Sequence, residues 1–201
     1  MSLVLITAPA VEPITLVEAR AHLRITADGS PPTHADDDYV TALIQAARQH
    51  LDGKDGWLNR ALITQTWELV LDEFPDQEIR IPLPPLQSIT SIKYDDADGV
   101  EQTVDPANYV VDTKAQPGWV VPVSTYSWPS TMDTINAVRV RFAAGYGAAG
   151  TNVPMPIRQA MLLLVGAWYQ SRESVVIGTI VNELPMAVDA LLAPYRTMWF
   201  G

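Results

Sequence analysis

Cysteine is absent from the 201-residue chain, which excludes disulfides, thiolate nucleophiles and thiolate metal sites, and suits assembly in a reducing cytoplasm. Lysine is scarce. Only Lys54, Lys93 and Lys114 stand among 13 basic residues, against 23 acids. A chain of net charge −10 neutralises phosphates poorly, so tight nucleic-acid binding is not expected. The imbalance is local: residues 61–150 hold twelve acids and five bases, residues 1–60 eight and five, and residues 151–201 three of each. Long apolar runs are missing too. The most apolar stretch, Ala160–Tyr169, is about half of the ~20 residues that a membrane-spanning helix needs. Met1–Ala10 is apolar but lacks a basic flank and a long apolar core, so no signal peptide is expected and the protein reads as soluble.

Catalytic patterns are equally sparse. His22, His34 and His50 are scattered without the H-x-x-x-H spacing that holds zinc. No G-x-S-x-G elbow occurs, and no carboxylate pair stands apart from the many surface acids. No catalytic residue, cofactor or metal is expected, because a site needs convergent titratable groups.

What is present is a change of hydrophobic period along the chain. Thr15-Leu16-Val17-Glu18 is a capping box that predicts a helix from Leu16 to about Ile25. Two prolines and a glycine make Asp28–His34 a loop. Asp36-Asp37-Asp38 then puts negative charge where a helix dipole favours it, read here as a cap and a solvated face. Tyr39, Leu43, Ala47 and Leu51, beside Val40 and Ile44, give that helix a broad apolar face, and Gly53 and Gly56 stop it.

From Ala61 the period becomes that of strands. Ile63, Gln65, Trp67, Leu69 and Leu71 alternate with their neighbours, and Ile79-Ile81-Leu83, interrupted by Pro82, predicts an edge strand. Ile89–Tyr94 and Val100–Val104 flank Asp95-Asp96-Ala97-Asp98-Gly99, a hairpin turn. Short strands are expected near Tyr109–Val111 and Trp119–Val121, and a last one at Val138, Val140 and Phe142. Helix returns after Pro154 and Pro156, with Ile157, Ala160, Met161, Leu164 and Trp168 in one stripe. Ser174–Asn182 reads as a flexible link before a shorter helix, Met186 to about Leu192. The expected fold is α+β: an N-terminal helical part over 1–60, an inserted antiparallel β region over 61–150, and a C-terminal helical part with a tail over 151–201.

Two motifs invite functional readings and fail them. Gly145-Tyr146-Gly147-Ala148-Ala149-Gly150 matches G-x-G-x-x-G, but Thr151–Pro154 separates it from the next helix and no β-α-β pattern surrounds it. A pyrophosphate needs helix N–H groups within the glycines, so the run reads as a turn leaving a sheet. Asp95, Asp96, Asp98 and Glu101 lack the spacing of a calcium loop and read as an acidic hairpin. Among the six tryptophans, Trp67 and Trp168 fall on predicted core faces, while Trp119 and Trp128 lie in proline-bearing loops that cover the sheet or face a neighbour.

Several stretches together resemble one family. They are Ile14–Arg24 (ITLVEARAHLR), Asp37-Asp38-Tyr39 with Leu43–Arg48 (LIQAAR), Leu62–Trp67 (LITQTW) and Leu71–Pro75 (LDEFP). Further on come Ile81–Pro84 (IPLP), Ile89–Tyr94 (ITSIKY), Ala144–Gly147 (AGYG), Pro154–Ala160 (PMPIRQA) and Leu191–Arg196 (LLAPYR). In this order they are similar to the head–tail connector (adaptor) proteins of long-tailed bacteriophages and related gene-transfer particles. The chain departs from the pattern at Gly53–Asn59 and at Trp199-Phe200.

The resemblance implies a structural protein of the virion neck, with no enzymatic activity. It implies a dodecameric ring between the portal protein and a tail-side stopper or completion protein, through which DNA passes without specific binding. Another neck or tail ring protein (a stopper or tail terminator) and, more remotely, a ligand-binding β module stand as alternatives. The tail is the candidate site. Pro194 ends the last helix, and Tyr195, Arg196, Met198, Trp199 and Phe200 have the aromatic composition of an interface rather than of a solvated end. They are expected to dock on the portal.

Overall fold

The computed structural model of the chain describes residues 1–29, 31–171 and 186–197. The Thr15 capping box forms in full: the Glu18 backbone N–H donates to Thr15 Oγ1 at 3.2 Å, and the Thr15 N–H donates to the Glu18 carboxylate at 2.8 Å. Helix α1 (Leu16–Leu23) follows and ends earlier than the periodicity suggests. Arg24 turns left-handed at φ 57°, and the Arg24 and Ile25 N–H groups bond back to Ala21 and Arg20. That pattern satisfies carbonyls at the helix end and turns the chain away.

Helix α2 (Asp37–Leu51) and helix α3 (Met155–Gln170) bury the expected stripes against each other. Val40, Ile44, Ala47 and Leu51 share one core with Ile157, Ala160, Met161, Leu164 and Val165. Helix α4 (Met186–Leu192) adds Val188 and Leu192 to it. Both chain ends therefore build a single helical core. Asp37 is more than a solvated cap. Its carboxylate accepts both Arg20 Nε, at 2.7 Å, and Arg20 Nη2, tying α1 to α2. These hydrogen bonds hold its pKa below the usual carboxylate range.

The β region forms two antiparallel sheets. Strands β1 (Ser2–Thr7), β2 (Gln65–Leu71), β8 (Val138–Ala144), β4 (Leu86–Asp95) and β5 (Glu101–Thr103) lie in that order in the larger sheet. The smaller sheet runs β3 (Ile79–Ile81), β7 (Gly118–Pro122), β6 (Tyr109–Asp112). A second core lies between them, with Trp67 and Leu69 of β2, Ile79 and Ile81 of β3, Val120 of β7 and Val138, Val140 and Phe142 of β8. Strand β3 is an edge strand and stops before Pro82, as a residue without an N–H requires. The alternation of β8 is complete because it sits centrally, with its apolar side chains inward and Arg139 and Arg141 outward on Asp95 and Glu68.

The first sixty residues are not purely helical. Strand β1 pairs antiparallel with β2, Leu3 opposite Leu69 and Leu5 opposite Trp67, so the N-terminal segment belongs to the sheet. Its sequence, Ser-Leu-Val-Leu-Ile-Thr, has no alternation to reveal this. The expected link Ser174–Asn182 lies largely within 172–185, outside the described residues.

The two cores meet at a joint built from residues 52–65 and 144–153. Asp52, at the end of α2, is buried and accepts the Leu62 N–H at 2.8 Å and the Gln65 amide at 2.9 Å. Burial holds its carboxyl above the ordinary range, opposed by these hydrogen bonds and by Arg48. Across the joint the Thr64 N–H donates to Gly147 O at 2.9 Å and the Tyr146 N–H to Leu62 O at 3.0 Å.

Candidate functional site

The glycine run lies inside this joint. Gly145 has φ +130°, and a Cβ there would stand 2.5 Å from the Ile63 carbonyl oxygen. Its own N–H donates to Pro85 O at 2.9 Å, and its carbonyl accepts Gln87 Nε2 at 2.7 Å. Gly147, at φ +155°, faces the Asn152 side chain, where a Cβ would come within 2.5 Å. The Ile63–Thr64 backbone at Gly145 and the Asn152 side chain at Gly147 explain both glycines, and α3 starts only at Met155, too far along for its N–H groups to reach a phosphate at the glycines.

Two acids of the hairpin are paired with cations, and Asp96 instead accepts the Gln102 amide and the Val100 N–H. Asp95 takes both Arg139 Nη2 at 2.6 Å and Nη1 at 3.0 Å, and those bonds lower its pKa. Glu101 is met by Lys93 at 2.6 Å and by Arg139 at 3.1 Å, and its pKa falls for the same reason. Among the described residues no group of three or more His, Asp or Glu side chains could hold a metal ion. The histidines serve packing and local bonds: His50 meets Trp168 edge to face at 6.2 Å, and His34 Nδ1 accepts the Asp36 N–H at 3.1 Å. Trp128 covers the β core: it stacks on Phe74 at 5.0 Å and donates its indole N–H to Gln77 O at 2.6 Å. Trp119 lies in strand β7 rather than in a loop, because its backbone pairs with Arg80 of β3 and Asp112 of β6, and the Arg80 guanidinium lies 5.8 Å over its ring.

The candidate tail starts on its own subunit. Tyr195 closes a 3₁₀ turn after α4, packs against the helical core and accepts Arg60 Nε through its carbonyl. The Arg196 guanidinium lies 4.6 Å over the Trp57 ring. Thr197 donates its N–H to Leu58 O at 3.1 Å, and its carbonyl accepts Asn59 Nδ2 at 3.2 Å. Met198, Trp199 and Phe200 lie outside the described residues. Pro194 thus redirects the chain onto the 57–60 loop rather than away from the body. Sequence reasoning missed Trp57, Asn59 and Arg60 as partners of the tail, because nothing local in the sequence links positions 57–60 to 195–197. Thr197 also lines a small recess with Leu3, Pro82, Leu83 and Pro117.

No protein-family model matches the sequence, and no curated protein is similar to it by sequence search. Solved structures do match. The whole chain superposes on 97% of a chain from "Neck of empty GTA particle computed with C6 symmetry", at a TM-score of 0.80 and 24% identity. Its fold is one found in gene transfer agent necks. Two further chains, from the virion of the native gene transfer agent (GTA) particle and from its neck computed with C12 symmetry, match over the same spans at 24% identity, with TM-scores of 0.77 and 0.65. Coverage of 100% of this chain and 97% of each matched chain means that the match spans the helical and β parts together, rather than one module alone.

Proposed function

We propose that the chain is a head–tail connector (adaptor) subunit. It forms a ring, dodecameric in the particle, between the portal vertex and the tail-side stopper or completion protein, and DNA passes through the ring. The observation that carries this reading is the end-to-end fold match to a GTA neck chain at a TM-score of 0.80. The C12 symmetry of one matched neck supports the ring order. The acids of residues 61–150 suit the rim of a DNA passage, since a surface with few unpaired cations lets phosphates slide by. The residues proposed to meet the portal are Tyr195, Arg196, Met198, Trp199 and Phe200. In this reading the 57–60 loop presents the tail, and avidity around the ring multiplies a weak single contact.

Electron microscopy of the purified chain with portal-bearing capsids tests the proposal. Twelve-fold density on the portal is expected; another ring order, or attachment only at the tail end, would favour a stopper or tail terminator. Inactivating the gene is expected to leave DNA-filled capsids without tails, and empty capsids beside normal tails would refute the role. Deleting Met198–Gly201 is expected to abolish attachment while the melting temperature holds. A lower melting temperature with attachment intact would assign the tail to its own subunit instead.

A further inference from the structure

Among the described residues the outermost strands are four, β1 and β5 on the larger sheet and β3 and β6 on the smaller. Three of them are guarded as edges usually are. Strand β5 is three residues long and carries Glu101, β3 is as short and carries Arg80 with Pro82 behind it, and β6 carries Asp112. Strand β1 is different. It has six residues, no proline and no charge, and Val4, Leu5 and Ile6 are 45%, 44% and 42% exposed. The whole stretch 2–11 is uncharged, in a chain of net charge −10. At the start of the strand Lys54 Nζ donates to Leu3 O at 3.3 Å.

We infer that the free edge of β1 is the site where a second copy of this chain adds a strand, joining neighbouring subunits through backbone hydrogen bonds. The inference rests on the ring reading above and names the surface that closes the ring. Charge selects the occupant. Two copies of so acidic a chain repel over most of their surfaces, and an uncharged edge lets them meet without opposing like charges. A basic partner would find no carboxylate on the strand, and an acidic one only Lys54, which bonds Leu3 O. A ring also requires a head-to-tail contact, so the added strand is a segment of the neighbour other than its own β1, since β1 on β1 would close a two-fold dimer.

The test uses the full chain, with native mass spectrometry across concentration and hydrogen exchange in the dilute and assembled states. Val4→Lys is the main variant: Val4 lies opposite Glu68 in the register, so a lysine is accommodated in the subunit while it charges the edge. Ile6→Lys is the second, and Val110→Lys, on the exposed edge strand β6, is the control. Expected results are outward-facing β1 amides, those not bonded to β2, protected only on assembly, self-association weakened at least tenfold in both β1 variants, an unchanged melting temperature at low concentration, and a control that assembles like the wild type. Rings that form with those outward-facing amides still exchanging freely, or that form undiminished in both variants, overturn the inference and leave the ring reading standing. Assembly that stops at dimers, or β1 protection that appears only when another protein is added, overturns it too. A chain that stays monomeric at every concentration, alone and with portal-bearing capsids, removes both.

Discussion

Replacing Gly145 with alanine should be among the most damaging single changes available in this protein, although it adds one methyl group. The new Cβ would lie 2.5 Å from Ile63 O, 2.6 Å from Ile63 C and 2.7 Å from Thr64 N, all backbone atoms. None can retreat cheaply. Ile63 is buried in the helical core, and the Thr64 N–H is engaged by Gly147 O. Moving Gly145 instead would strain its bonds to Pro85 and Gln87. An alanine held at φ +130° costs about 1–3 kcal/mol, and forcing the overlap apart costs about 1–3 kcal/mol more. The stiffer unfolded chain offsets roughly 0.4–1 kcal/mol of that loss. The expected destabilisation is about 1–6 kcal/mol, against a total of about 5–15 kcal/mol for a typical domain. Urea unfolding of the dilute chain should show it as a lower midpoint at unchanged slope, with a melting temperature lower by about 2–24 °C. Gly29→Ala is the matched control, because Gly29 also has a positive φ (+95°) but its Cβ would meet nothing nearer than 3.4 Å. If Gly145→Ala costs no more than Gly29→Ala, the close-approach argument for the joint is wrong.

Thr15→Ala should cost about 1 kcal/mol in the same unfolding assay, through loss of the α1 capping box; an effect near zero would mean that Arg158, which pairs with Glu18 and donates to Pro13 O, holds the helix start alone. Asp52 should give a pH signature. Its folded pKa is raised by burial, so the folded state keeps the proton to higher pH, and the carboxyl's contribution to stability falls as pH rises from the ordinary aspartate value through the raised one. The stability difference between wild type and Asp52→Asn should therefore shrink or turn negative from about pH 4 to 7, and a difference growing over that window would mean that Arg48 and the hydrogen bonds outweigh burial. Trp57→Ala should cost about 0.5–1 kcal/mol through the lost cation–π contact with Arg196 and speed exchange of the Thr197 amide; an unchanged rate would show that the bonds to Leu58 and Asn59 hold the tail without the ring.

The sequence alone determined the class of fold and the placement of most elements, because local chemistry dictated them. Thr15 and Glu18 start α1 wherever the rest of the chain goes, the stripes from Val40 to Leu51 and from Ile157 to Leu164 have a helical period, and Val138, Val140 and Phe142 alternate as a central strand must. The rejection of the glycine run as a nucleotide site was also legible, since the distance from Gly150 to Met155 can be counted along the chain. Tertiary structure decided what depends on partners far away in sequence. Strand β1 has no period of its own and exists because β2, some sixty residues on, offers its edge. Asp37 reads as a helix cap until Arg20 is brought beside it. The tail residues Tyr195 and Arg196 carry interface chemistry in the sequence, but that they rest on Arg60 and Trp57 follows only from packing α4 against α3, which brings position 196 over position 57. Short-range hydrogen bonds and side-chain periods are written residue by residue; pairings across more than a hundred positions are settled by which buried surfaces fit together.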